Sequence, residues 1–265
     1  MLAVNGAAVA FPAEGAFRVH PRPEDVYQPT PSADGSPQPP GPNRFDDPHH
    51  HYAVRYLAEL LYVCLLEVLA RLRDHQAGDQ VLEEMTPGLE HPALEDLRDP
   101  QQVEAVANFL DTNKVANFGP PAPAVLAKLV DVFDGALLAA LDDHHWIRDE
   151  LARPEVVAAY GEPRQQVHLD GSLIRNASKK VGRPVTQRVS RLLLDIVGVR
   201  GLRYYSRHED GDAAKCWAVA GHVHLPVRSL EALDPANDHH RAAVQLVADR
   251  YRLPLPLAWD RRTHL

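Results

Sequence analysis

The sequence predicts an α+β protein. Three observations carry that prediction: strand-like alternation at both ends of the chain, three- and four-residue apolar recurrence between them, and proline–glycine breaks separating the segments. The first strand is Ala16–His20, AFRVH. Residues 29–43, PTPSADGSPQPPGPN, hold six prolines in fifteen positions and offer no apolar face. They read as an extended loop, either a lid over a site or a spacer.

After that loop, residues 51–57 alternate. Tyr52, Val54 and Tyr56 fall on one side and Ala53, Arg55 and Leu57 on the other. The period then changes: Leu57, Leu61, Leu65, Val68 and Leu72 recur at helical steps, predicting a helix over 58–73. The middle, residues 74–185, reads as mostly helical. Asp99-Pro100 opens one helix towards Leu110, residues 123–141 form a second, and Arg153-Pro154 starts a third. Gly119-Pro120-Pro121 and Gly161-Glu162-Pro163 break the run. A helix over 186–197 follows, then strands over 201–207, 213–220 and 222–227, the first two joined through the Asp-Gly chemistry of HEDGD, 208–212. Asp238 is placed to cap a last helix over 239–252.

Composition narrows the function. The chain has 265 residues, 28 basic against 36 acidic side chains, and a net charge of −8. A broad nucleic-acid or anionic-membrane surface needs the opposite balance, although a few arginines suffice for one small anion. Cys64 and Cys216 belong to no CxxC and lie in apolar runs, as core cysteines do. The longest apolar run, 60–66, is far short of the ~20 residues of a membrane helix. No basic residue precedes Arg18, so the start makes a poor secretion signal, and a soluble cytoplasmic protein is expected.

Four positions could carry chemistry. Glu67 is the only charge in LLYVCLLEVLA, 60–70, at the edge of an apolar helix face. A carboxylate there must find a partner or take up a proton. An ion pair with Arg71, one turn on, is the structural alternative to a functional role. Ser206 shares a strand side with Leu202 and Tyr204, which directs its hydroxyl inward at the strand end. A serine bonding neighbouring backbone would look the same, and no G-x-S-x-G elbow marks a hydrolase nucleophile. Arg18 in AFRV and Arg44 after the proline loop suit bidentate phosphate binding, or simply lie on the surface. Although the chain has 15 histidines, they form no HExxH, so no metal is expected. Phosphate-loop and dinucleotide fingerprints are also missing.

Taken in order, these positions resemble the RES-domain family, named for its Arg, Glu and Ser. The matching text is Phe17-Arg18-Val19, then Asn43-Arg44-Phe45-Asp46-Asp47-Pro48. Val54-Arg55-Tyr56-Leu57-Ala58 comes next, running into Cys64-Leu65-Leu66-Glu67-Val68, and last comes Gly201-Leu202-Arg203-Tyr204-Tyr205-Ser206-Arg207. The resemblance covers about 16–73 and 186–220. It implies an ADP-ribosyltransferase-like mixed-sheet core in a single catalytic domain, 1–265, with residues 74–185 as a large helical insertion.

The resemblance also implies an NAD-degrading enzyme, a glycohydrolase or phosphorylase. Such a protein is typically the toxin of a toxin–antitoxin pair, with a cognate antitoxin and a homodimer as partners. By position, Arg18, Arg44, Tyr56, Glu67 and Ser206 would bind NAD, with Glu67, Arg18 and Ser206 catalytic. Cleaving the nicotinamide–ribose bond passes through an oxocarbenium-like state that a buried carboxylate stabilises. On this reading the arginines hold the pyrophosphate, Tyr56 stacks on a ring, and Ser206 bonds ribose or nicotinamide. A mono-ADP-ribosyltransferase acting on protein is the enzymatic alternative. A binding module with a vestigial site is the other.

Overall fold

A computed structural model of the chain describes residues 7–20, 43–47, 52–70, 100–161, 166–175, 181–209 and 214–260. The proline-rich 29–42, the Asp99 cap, Arg71, and residues 210–212 of the HEDGD turn lie outside these. Among the described residues the chain builds one seven-stranded mixed sheet flanked by helices. The α+β class read from the sequence is therefore the observed one.

Strand β1 is Ala16–His20 and β2 is Val54–Ala58. Gly15 leads into β1 with φ of +94°, and a Cβ there would collide with Asn117 Oδ1, so only glycine fits the entry turn. Two residues after β2, helix α1, Leu61–Leu69, begins without a side-chain cap. Its stability comes from burial: Leu61, Val63, Leu65, Leu66 and Leu69 are all inside. It packs on β1, β2 and β6.

Among the described residues the middle is mostly helical, as expected, but it also carries two strands. Helix α2 is Pro100–Thr112, and strand β3, Lys114–Phe118, starts two residues later. The predicted helix 123–141 is three elements: α3 at Pro123–Leu126, β4 at Leu129–Asp131, and α4 at Gly135–Asp142, capped by Asp134. The stretch AVLAKLVDV, 124–132, fits either period, and pairing with the sheet makes its second half a strand. Thus the stretch 74–185 supplies two strands and is woven into the sheet. Helices α5, His145–Leu151, α6, Pro154–Tyr160, and α7, Gly171–Arg175, come next.

Helix α8, Gly182–Arg191, runs on into a π-helical segment, Leu192–Val197. Gly198, with φ of +77°, ends it in the left-handed conformation. Strands β5, Gly201–Tyr205, and β6, Lys215–Ala220, then pair antiparallel as predicted. The third expected strand, 222–227, is instead a turn and extended segment, and β7 begins at Val227 and ends at Ala232. Helix α9, Asp238–Tyr251, is capped one residue earlier than expected, by Asn237, whose side chain accepts from His239 N and His240 N. It packs against α1.

The strand order is β4-β5-β6-β2-β1-β3-β7, with only β4–β5 parallel. Two register rows position side chains on a common face. Tyr56 is level with Ala218 and Leu202, and Ala58 is level with Cys216 and Tyr204. Tyr56, Tyr204 and Cys216 therefore share one face.

Candidate active site

Loop 43–47, between β1 and β2, is locked before it reaches any ligand. Asp46 accepts from Asn43 N and Asn43 Nδ2, both at 3.0 Å. The Tyr56 hydroxyl accepts from Phe45 N at 3.0 Å and donates to Asp46 Oδ1 at 2.8 Å. From α8, Ser190 Oγ donates to Phe45 O at 2.7 Å while accepting from the Tyr52 hydroxyl at 2.8 Å. Gln187 donates to Asn43 O at 3.3 Å. Phe45 is fully buried, its ring centroid 4.9 Å from that of Tyr204.

This clamp aims Arg44. Its guanidinium carbon lies 4.9 Å from the Tyr204 ring centroid. Nη1 donates to Arg175 O at 3.1 Å and to Ile174 O at 3.4 Å, the last carbonyls of α7. Nη2 stands 4.0 Å from Glu67 Oε1. The same carboxylate oxygen accepts from Ser206 Oγ at 2.5 Å, across 139 residues of sequence. Ser206 is wholly buried, and its Oγ also accepts from His208 N at 3.1 Å. Glu67 keeps a quarter of its side-chain surface open to solvent, 26%, while Arg44 keeps 9%. A solvent-facing carboxylate thus stands in front of a buried serine and a buried arginine. That arrangement can stabilise a developing positive charge or hold a sugar hydroxyl.

The partner that Glu67 required is therefore Ser206, with Arg44 beside it. Tyr56 joins the group through Asp46 and Phe45. Burial first, then the Asp46 charge, pushes its phenol well above the ordinary range, so it stays protonated. Arg18 is buried on β1, in register with Ala116. Its charge and that of Glu67 act in opposite directions on the Cys64 thiol, which burial pushes up to about 12. Burial likewise raises the Cys216 thiol far above its usual value. Both thiols remain neutral, as core cysteines, and neither supplies a nucleophile.

Three participants were not singled out from the sequence. Tyr204 was legible, because it shares a strand side with Ser206, but an aromatic on that side reads as core. Arg175 had no signal at all, since only the tertiary fold brings α7 to the ends of β5 and the loop. Arg183 lies in the first turn of α8, and its guanidinium is held below the usual range by burial first and by the Arg207 charge next, with Arg44 adding to it and Asp46 opposing. Arg207 and Arg44 thus bring their positive charges to bear on Arg183, beside a site that opens at Glu67.

Residues 16–245 match the family model of the RES domain. The chain belongs to the RES-domain family. The RES match begins at the first residue of β1, ends inside α9, and runs through the stretch 74–185 that the motifs alone did not cover. Among solved structures, this RES-domain chain is similar to a chain of the M. tuberculosis MbcT–MbcA toxin–antitoxin complex. The similarity is 12% identity over 90% of this chain and 91% of the other, with a TM-score of 0.39. No curated protein matches the sequence. Among the described residues, no helix is long and apolar enough to cross a membrane.

Proposed function

We propose that this RES-domain protein degrades NAD by cleaving the nicotinamide–ribose bond, through one catalytic domain spanning 1–265. The observation that carries the reading is the Glu67 carboxylate, fixed by the Ser206 hydroxyl at 2.5 Å with Arg44 at 4.0 Å, yet open to solvent. As the C1′–N bond breaks, both bonding electrons leave with nicotinamide, and positive charge develops on the ribose. Glu67 stabilises that charge. Ser206 keeps the carboxylate oriented, so little reorganisation is needed as charge builds. Arg44 and Arg18 hold the anionic pyrophosphate, and Tyr56 sets the Arg44 loop and borders the bound rings. Water or phosphate then adds through oxygen to C1′ and gives up a proton.

Family membership supports a toxin role, in the cytoplasm, restrained by a cognate antitoxin and with a second copy of the chain as a further partner. The test is incubation of purified protein with NAD, with and without phosphate, measuring free nicotinamide. Release is expected, and Glu67→Gln should lower it by roughly a hundredfold or more while leaving the far-ultraviolet dichroism unchanged. Undiminished release by folded Glu67→Gln sinks the mechanism. Labelled ADP-ribose appearing on protein would favour transfer to protein instead.

A further inference from the structure

Arg175 ends α7, in the stretch that the family motifs do not reach. It makes contacts in two directions. Its backbone carbonyl accepts from Arg44 Nη1 at 3.1 Å. Its side chain reaches the other way: Nε donates to Ser206 O at 3.2 Å and Nη2 donates to Glu209 O. The planar guanidinium therefore spans two carbonyls just past β5, a geometry that a point charge cannot reproduce. Glu209 is anchored from the far side as well, its carboxylate 3.0 Å from Arg250 Nη1 on α9.

Ser206, whose hydroxyl holds Glu67, stands at one end of this span, and His208 N, which bonds that hydroxyl, lies within it. Ser206 Oγ donates to the carboxylate and accepts from His208 N, so its aim depends on the path of 206–209. We propose that Arg175 is a positioning residue, its guanidinium fixing the strand end that presents Ser206 to Glu67 and its carbonyl fixing Arg44 beside the same carboxylate. This inference rests on the NAD-cleaving reading for its kinetic consequence. Its geometric content stands apart from that reading.

The two contacts separate cleanly in a side-chain variant. Arg175→Ala removes the fork but keeps the carbonyl that holds Arg44. If Arg44 binds substrate and the Ser206–Glu67 pair acts in the transition state, kcat falls and KM does not. The expected loss in kcat is several-fold, no larger than that from removing the Ser206 hydroxyl, with KM within about twofold of the wild type. Arg175→Lys, able to reach one carbonyl but not to span both, should fall between the two. In the absence of NAD, hydrogen exchange at the amides of 206–209 should quicken by about tenfold or more in Arg175→Ala, with the sheet amides unchanged.

Unchanged exchange at 206–209 overturns the proposal. So does an unchanged kcat, or a lysine variant as active as the wild type. A wild-type chain that releases no nicotinamide removes the NAD reading, and the exchange measurement then decides the role of Arg175 alone.

Discussion

Ser206 is where a single hydroxyl does two jobs that one substitution separates from the fold. Its proton goes to Glu67 and its lone pair to His208 N, and the side chain is wholly buried. Ser206→Ala leaves both partners without it, so the expected cost is about 1–2 kcal/mol of stability, read from the urea midpoint. Because Arg44 still stands 4.0 Å from the carboxylate, part of the site survives. Nicotinamide release should therefore drop on the order of tenfold rather than vanish. An alanine variant with full activity would show that the hydroxyl is only structural. The sequence directed Ser206 inward through strand alternation. Its partner at Glu67 could not be read, since no local pattern spans 139 residues.

Elements bring these residues together through one clamp and one helix end. Loop 43–47 is tied to β2 by Tyr56 and to α8 by Ser190 and Gln187. Tyr56→Phe keeps the ring and deletes the bridging hydroxyl, leaving Phe45 N and Asp46 Oδ1 short of a partner. A loss of about 1–2 kcal/mol is expected by chemical denaturation. Since the clamp aims Arg44, KM for NAD should rise several-fold while kcat changes less; an unmoved KM would count against this role. Much at this scale was legible. The switch from period two to helical period marked β2 and α1, and the proline and glycine signals placed the breaks. The failures have local breakers in common: Asp134 caps a new helix within 123–141, and Pro226 has no N–H for a sheet ladder within 222–227. A lone asparagine before an aspartate was enough to move the α9 cap by one residue.

For the molecule as a whole, burial makes one-signed demands on its weak acids. Cys64 is pushed up to about 12, and Cys216, Tyr56 and Tyr204 are raised well above their ordinary values, in each case by burial first. A raised acid holds its proton in the folded state after the unfolded chain has lost it. Stability is then fully present below the unfolded value, 9.0 for the thiol of Cys64, and declines as pH rises from there towards about 12. The melting temperature should accordingly fall steadily above pH 9, and both thiols should resist alkylation until unfolding. A flat profile across that range, or rapid labelling of the native protein, contradicts this account. The charge of −8 stays compatible with an anionic substrate because the charges of Arg207 and Arg44 both act on Arg183, a local concentration of positive charge.

By itself the sequence determined the α+β class, β1, the junction of β2 and α1, the inward side of β5, and the ordered Arg, Glu and Ser of a RES domain. Each of these is a local or ordered pattern, carried by side-chain period, turn chemistry and motif order. Only the tertiary structure decided that the middle of the chain supplies β3 and β4. It also decided that Ser206 and Arg44 meet on one oxygen of Glu67, and that Arg175 spans the strand end behind them. Those contacts depend on strand order and on helices returning across the sheet. Burial and long-range pairing fix both, and neither leaves a periodic trace along the chain.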